Sequence, residues 1–254
     1  MTANVHVPKF KRVKDSPDPR DHKYNDARPL TRPPVVDLSG KCSPIFDQGD
    51  LGSCTGNAWV GALEYEENLQ AEKFVSFSRL FVYYNERVLD HDTDQDAGAE
   101  IRDGIKTLVK WGVCAESFWP YDVSKFTLKP SLEAYSDATQ HKALQYSSVD
   151  QTENAITHAL AAGHPVVFGI TIYDSFESDD VAKTGLVPMP NTETEQCQGG
   201  HAVLIVGYDY NKRLYKVRNS WGPDWGDKGY FYLPFEFVHS PDLCEDFWIL
   251  TQLM

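Results

Sequence analysis

A thiol attacks a carbonyl carbon as its thiolate, and two surroundings lower a cysteine's pKa most readily: a helix N-terminus and a neighbouring imidazolium. Cys54 has the sequence for the first. It lies in DQGDLGSCTGNAW, where Gly49, Gly52 and Gly56 permit a tight backbone approach. Gln48, six residues upstream, carries a side-chain N–H donor. Acyl transfer needs such a donor, because the tetrahedral intermediate puts negative charge on the former carbonyl oxygen. His201 heads an apolar strand in QGGHAVLIVGYD, and Asn219 follows eighteen residues later in YKVRNSWGPDWGDKGYFYL. On neighbouring strands the Asn219 amide oxygen would accept from the imidazole while Trp221 screens the pair from water. A base held by a third group is the logic of a catalytic triad. Singly, Cys54 reads as a small buried residue in a glycine-rich turn and His201 as a core histidine; the four residues together point to acyl transfer.

Other chemistries find less support. Cys197 and His201 are four residues apart, but no second pair with ligand spacing completes a zinc site, and no metal or cofactor is expected. The acidic run HDTDQD at 91–96 lacks the glycine and closing glutamate of a calcium loop and reads as a charged loop. His6, His22, His91, His141, His158, His164 and His239 have no motif around them. Lys plus Arg number 24 against 37 Asp plus Glu, a formal net charge of −13. That field disfavours nucleic acid and anionic membrane and favours basic partners. The longest apolar runs, such as 165–173, fall well short of a membrane-spanning helix.

These residues need elements to hold them. Ala58, Ala62, Tyr65 and Leu69 recur at four and three residues, predicting a helix with one buried face and with Cys54 in its first turn. A second helix is expected from a Ser78 cap through Phe81, Tyr84 and Val88, and a third over 99–111, ended by Gly112. After a short helix capped by Thr152 come VVFGITIY, AVLIVGYD, LYKVRNS, GYFYL and FWILTQ, β-branched or aromatic runs separated by turn residues. The expectation is an α+β fold of two lobes: a helical lobe over about 35–150, a β-rich, barrel-like lobe over about 151–254, and a cleft between them.

The stretches DQGDLGSC, GGHAVLIVGYD and RNSWGPDWGDKGYFYL resemble, in that order, the cysteine, histidine and asparagine boxes of the papain and cathepsin family of cysteine peptidases. DAGAEIRDGIKTLVKWGV with FWPYD, and TENAITHALAAGHPVVFGI, extend the likeness over about residues 35–250. The resemblance implies Cys54 as nucleophile, His201 as base and then acid, Asn219 as its orienting group, and Gln48 as oxyanion donor beside the Cys54 N–H. It implies that Trp221 shields the pair, that Gly52 and Gly98 line the substrate path, and that Glu245 stands at the floor of the pocket for the second residue before the cleaved bond. An acidic floor there would welcome arginine; a surface glutamate is the alternative. The substrate would be a peptide or protein. It further implies a Cys197–Cys244 disulfide, as in some members. Leu51 stands where the family usually has cysteine, and Thr55 where it has tryptophan, so a bracing disulfide is missing and the branch is a divergent one, of bacterial or viral type. A transferase or amidase with the same triad, and a silent binding protein on the same fold, are the competing readings.

Residues 1–34 form an extension. Eight basic groups against four acidic ones give residues 1–33 a charge of +4 and leave −17 for the rest of the chain, so the two attract. Pro8, Pro17, Pro19 and Pro29 favour extended backbone. The extension is expected to lie in or across the cleft as a short inhibitory prosegment, with a structural strap as the alternative, and a chain starting at Pro34 is expected to be the more active. No apolar run at the N-terminus suggests a secretory signal; the compartment stays open, and a monomer is expected.

Overall fold

The computed structural model describes residues 10–25, 32–70 and 75–253. Pro8, Lys9, Asp26, Arg28 and Pro29 of the extension lie outside the described residues. A short strand, β1 (Val35–Asp37), precedes three helices: α1 (Cys54–Gln70), α2 (Arg79–Asp90) and α3 (Ile101–Lys110). The Ser78 hydroxyl caps α2 by accepting from Phe81 N–H at 3.0 Å, and Gly112, at φ +82°, turns the chain after α3. Periodicity predicts one buried face for α1, but the helix is buried all round from 54 to 66. It is the central helix, with α2 and α3 on one side and the sheet on the other.

The chain continues through α4 (Leu132–Ala138), β2 (Ala143–Ser148), α5 (Glu153–Ala161), β3 (Val166–Tyr173), α6 (Asp179–Thr184), β4 (Cys197–Asp209), β5 (Leu214–Arg218), β6 (Tyr230–Pro234), α7 (Phe235–His239) and β7 (Cys244–Leu253). The strands form one open antiparallel sheet in the order β2-β7-β3-β4-β5-β6, with β1 paired to β4. Side chains alternate between its faces. Val166, Phe168, Ile170, Val203, Ile205 and Ile249 pack with Ile156 and Leu160 of α5. Val167, Leu204, Val206, Trp248 and Leu250 point the other way, against Trp59, Leu63 and Ile105 of α1 and α3. Both faces are therefore covered, and the architecture is α+β, as the sequence suggests.

Two consequences follow from the register. Leu204 of β4 pairs with Arg218 of β5, so the chain leaving β5 passes toward the His201 end of β4 and carries Asn219 there. The expected Cys197–Cys244 bridge, by contrast, is not formed, and all five cysteines are free thiols. Cys197 pairs with Tyr173 and Cys244 with Ile170, on opposite sides of β3. Two strand spacings, about 9 to 10 Å, already exceed the span of roughly 7 Å that a disulfide tolerates between Cα atoms.

Candidate active site

Cys54 is the first residue of α1, where the unpaired N–H groups of the opening turn gather. Cys54 packs in one core cluster with Ala202, the residue after His201, whose backbone N–H favours the thiolate, so the helix start and β4 meet at this point. The His201 ring is fully buried, and its Nε2 lies 2.9 Å from Asn219 Oδ1. Ser220 N–H donates to the same oxygen at 2.9 Å, which fixes the amide's orientation. An amide oxygen only accepts, so the imidazole proton resides on Nε2. Nδ1 is left buried and without a hydrogen-bond partner. The Trp221 indole stacks on the ring at 5.0 Å between centroids, 27° from parallel.

Gln48 is fully buried and held from two sides. Ser220 Oγ donates to its Oε1 at 2.6 Å, and its Nε2 donates to Leu51 O at 3.0 Å. An amide nitrogen carries two hydrogens, so one of them is not committed by that bond. Ser220 lies inside the Asn-Ser-Trp-Gly stretch, where nothing local assigns it a role. Its hydroxyl and amide couple Asn219 to Gln48, and only the hydrogen bonds reveal it. The two departures from the family pattern are accommodated: Leu51 packs against Leu80 and Tyr83, and Thr55 Oγ1 donates to the buried Glu86 carboxylate oxygen Oε2 at 2.8 Å.

The acidic run supplies a brace. Oδ1 of Asp96 accepts from Gly52 N at 3.0 Å and from the Tyr83 hydroxyl at 2.6 Å. That hydroxyl in turn accepts from Gly98 N at 3.1 Å. A carboxylate thus ties the loop before Cys54 to the loop around Gly98. The Gly98 N–H is occupied by Tyr83, and the backbone group that pairs outward in this loop is the Ala99 carbonyl.

Residues 10–14 of the extension lie across this site. The Phe10 ring packs on His201 and Trp221, with centroids 6.1 and 5.7 Å apart. Arg12 N donates to Gly200 O and Val13 N to Ala99 O, both at 3.0 Å. Lys11 O would lie 1.7 Å from a Cβ at Gly98, so no side chain fits at that position while the strap is in place. The Arg12 guanidinium lies over Gly169 and donates to Glu245 Oε1 at 2.5 Å and Asp246 Oδ2 at 2.6 Å; Lys14 also pairs with Glu245. Glu245 is thus a partly buried, ion-paired carboxylate with Asp246 and Gly169 beside it. Burial would raise the Glu245 carboxyl, but Lys14 and Arg12 hold it below the usual glutamate range. Beyond the strap, Asp15 accepts from Trp248 Nε1 at 2.8 Å and Arg102 N at 3.0 Å, and Tyr24 N donates to Ser148 O of β2 at 2.7 Å.

Covered in this way, the pair is electrostatically quiet. Burial pushes the Cys54 thiol up to about 11, against the Ala202 N–H, and pushes His201 down to about 4, against the Asn219 oxygen, with Arg12 lowering it further. Thiol and imidazole are both neutral near pH 7.

A cysteine on a helix start packed against the strand that carries an oriented imidazole, where helices join an antiparallel sheet, is the architecture of a two-lobe α+β cysteine protease. A model of the papain family of cysteine proteases matches residues 33–239, and the chain belongs to that family. It is 46% identical over 228 residues to an uncharacterized peptidase C1-like protein of Acanthamoeba polyphaga mimivirus, covering 86% of this chain and 73% of that one. It is 30% identical to vignain of Ricinus communis, over 84% of this chain but 58% of the relative's length. Among solved structures, xylellain, a cysteine protease from Xylella fastidiosa, superposes with a TM-score of 0.89 at 37% identity, covering 97% of each chain. Digestive procathepsin L 3 of Tenebrio molitor shares the fold at a TM-score of 0.74 and 20% identity, over 98% of this chain and 77% of that one.

Proposed function

We propose that the chain is a cysteine endopeptidase that cleaves peptide bonds through a thioester on Cys54. His201 takes the thiol proton at Nδ1, and the sulfur attacks the substrate carbonyl carbon. The resulting oxyanion accepts from the Cys54 backbone N–H and from the uncommitted Gln48 Nε2 hydrogen. His201 returns the proton to the leaving amine, and water, activated by the same imidazole, releases the acid from the thioester. Asn219 keeps the Nδ1 lone pair toward the sulfur, and Trp221 keeps water from that bond. Glu245 takes an arginine as the second residue before the cleaved bond. The observation that carries the reading is the 2.9 Å bond from His201 Nε2 to Asn219, made beside a cysteine on a helix start.

The strap is an intrinsic inhibitor in this reading. It lays Phe10 on the His201 ring, and in the strapped chain Cys54 and His201 are fully buried and neutral, whereas attack requires the thiolate and imidazolium. It also runs from the Trp221 side toward the acidic pocket, opposite to a substrate that leads into the cleaved bond from that pocket, and this direction protects it from being cut. Stoichiometric labelling by an epoxysuccinyl inhibitor, lost in Cys54→Ser, tests the assignment. Peptide hydrolysis persisting at full rate in Cys54→Ala would overturn it.

A further inference from the structure

Besides the largely exposed Lys14 on Glu245, the strap carries two cations into the cleft, and they take two separate acidic positions. Arg12 takes the Glu245 and Asp246 pocket. Lys11 takes a second acidic position: its methylene chain crosses Gly52, so closely that a Cβ there would meet Lys11 Cδ at 2.9 Å, and its Nζ reaches Asp96 Oδ2 at 3.1 Å. Gly52 lies two residues before Cys54. Lys11 is thus the strap residue that crosses the loop leading into the nucleophile, between Phe10 on the His201 side and Arg12 in the pocket.

Asp96 divides its two oxygens between two tasks. Oδ1 is taken up by Gly52 N–H and the Tyr83 hydroxyl, which fix the carboxylate to both loops. Oδ2 faces the cation, which also donates to the Asp96 backbone carbonyl. Such a carboxylate is preorganised, so recognition of a lysine there requires no rearrangement of the loops. Its charge persists: burial would raise the carboxyl, but Tyr83, Lys11 and Gly52 hold it below the usual range.

We propose that Asp96 is a specificity-determining residue, which selects a basic side chain at the substrate position immediately before the cleaved bond. The proposal rests on the peptidase reading above. A side chain's charge, unlike its backbone, is read without regard to chain direction, so a substrate running the productive way offers the same two cations in reverse order. Arginine enters the Glu245 and Asp246 pocket first, lysine or arginine then lies along Gly52 to Asp96, and the bond after it meets Cys54. The preferred substrates are peptides and proteins with two consecutive basic residues, which suits a body of strongly negative charge.

The test uses the full chain, and the full chain with Arg12→Ala to loosen the strap. Two fluorogenic peptides carry arginine at the second position and differ only in lysine against norleucine at the first, a pair of similar length that isolates the charge. The expected ratio of kcat/KM is about tenfold or more in favour of lysine at low salt. Asp96→Asn keeps an oxygen for Gly52 and Tyr83 and removes the charge opposite the lysine, so it should bring the ratio close to one. A ratio discounts any general loss of activity in the variant. Hydrolysis of both peptides at equal rates by the unsubstituted Asp96 chains, or an unchanged ratio in Asp96→Asn, overturns the proposal and leaves the peptidase reading standing. No hydrolysis of either peptide, with no epoxysuccinyl label on Cys54, overturns both.

Discussion

Arg12 and Glu245 stand 233 positions apart in the chain and meet at 2.5 Å over the cleft. Asp246 receives the other arm of the same guanidinium at 2.6 Å, and the Arg12 side chain is only 4% exposed. The strap is thereby held by the acidic pocket proposed above to read a substrate. Backbone bonding adds little to this hold, since residues 10–14 make two backbone hydrogen bonds to the rims of the cleft, at Gly200 and Ala99.

Arg12→Ala should therefore raise activity. A strap that closes the site part of the time reduces the apparent affinity in proportion to the open fraction, so the variant should show a several-fold lower KM with little change in kcat. Raising salt to about 0.5 M should raise the activity of the unmodified chain toward an uncharged peptide, and affect Arg12→Ala less. An unchanged KM in the variant would mean that the segment is a brace. Deleting residues 1–14 is a cleaner form of this test than starting the chain at Pro34. The longer deletion also strips Asp15 from Trp248 and Tyr24 from β2.

For the catalytic set, Cys54→Ala and His201→Ala should each abolish peptide hydrolysis while the fold survives. Gln48→Ala should lower kcat by about 10² to 10³. Asn219→Ala should cost less, because Trp221 packing still orients the ring. Ser220→Ala tests the coupling found here: without its hydroxyl, Gln48 Oε1 loses the 2.6 Å bond that fixes the amide. A kcat lowered about tenfold with KM nearly unchanged is expected, and steady-state kinetics on one peptide checks all five variants.

What the sequence could and could not disclose divides along contact range. The glycine-rich approach to Cys54 and the β-branched runs of β3 to β7 are local signals, and the elements follow them. The polar ALQYSS segment carries no strand pattern; it becomes β2 because it joins the edge at β7. Asp96 looked like one more charge in an acidic loop, since its partners Gly52 and Lys11 lie 44 and 85 positions away. Ser220 was quoted within a motif, yet its role depends on Gln48, 172 positions distant. The Cys197–Cys244 bridge that the family resemblance implies fails for a long-range reason as well, because β3 lies between β4 and β7.

That strand order sets a second chemical expectation. Cys197 is exposed and Cys244 buried, so iodoacetamide on the native chain should modify Cys197 quickly and Cys244 only after unfolding. Peptide mapping without reduction should find no crosslink between them. A crosslinked peptide in freshly purified protein would contradict the register of β3 with its neighbours.

The last expectation concerns pH and the buried carboxyl behind the nucleophile. Glu86 of α2 is fully buried; burial pushes it up to about 8, against the Thr55 hydroxyl that favours its charged form, with Asp103 adding to the rise. Thr55 follows Cys54, so a charged Glu86 would disfavour the thiolate, and a neutral one would not. The folded-state pKa lies above the ordinary 4.5, so the folded chain holds a proton that the unfolded chain releases. Its contribution to stability is fully present below about 4.5 and is lost as pH rises through about 8. Asp15 and Glu64, each pushed up to about 7 by burial, act in the same direction. Asp37, Asp96 and Glu245, all lowered, lose their contributions only in more acidic solution, below this window. His201, pushed down to about 4 by burial, opposes the raised carboxyls only below its ordinary 6.5. Three raised carboxyls outweigh one imidazole, so urea unfolding at pH 5 and pH 8 should show the lower midpoint at pH 8. Glu86→Gln reproduces the neutral carboxyl and leaves an oxygen for Thr55, so its midpoint should fall less over the same interval. Parallel loss of stability in Glu86→Gln and the unsubstituted chain would show that Glu86 does not hold its proton across this range.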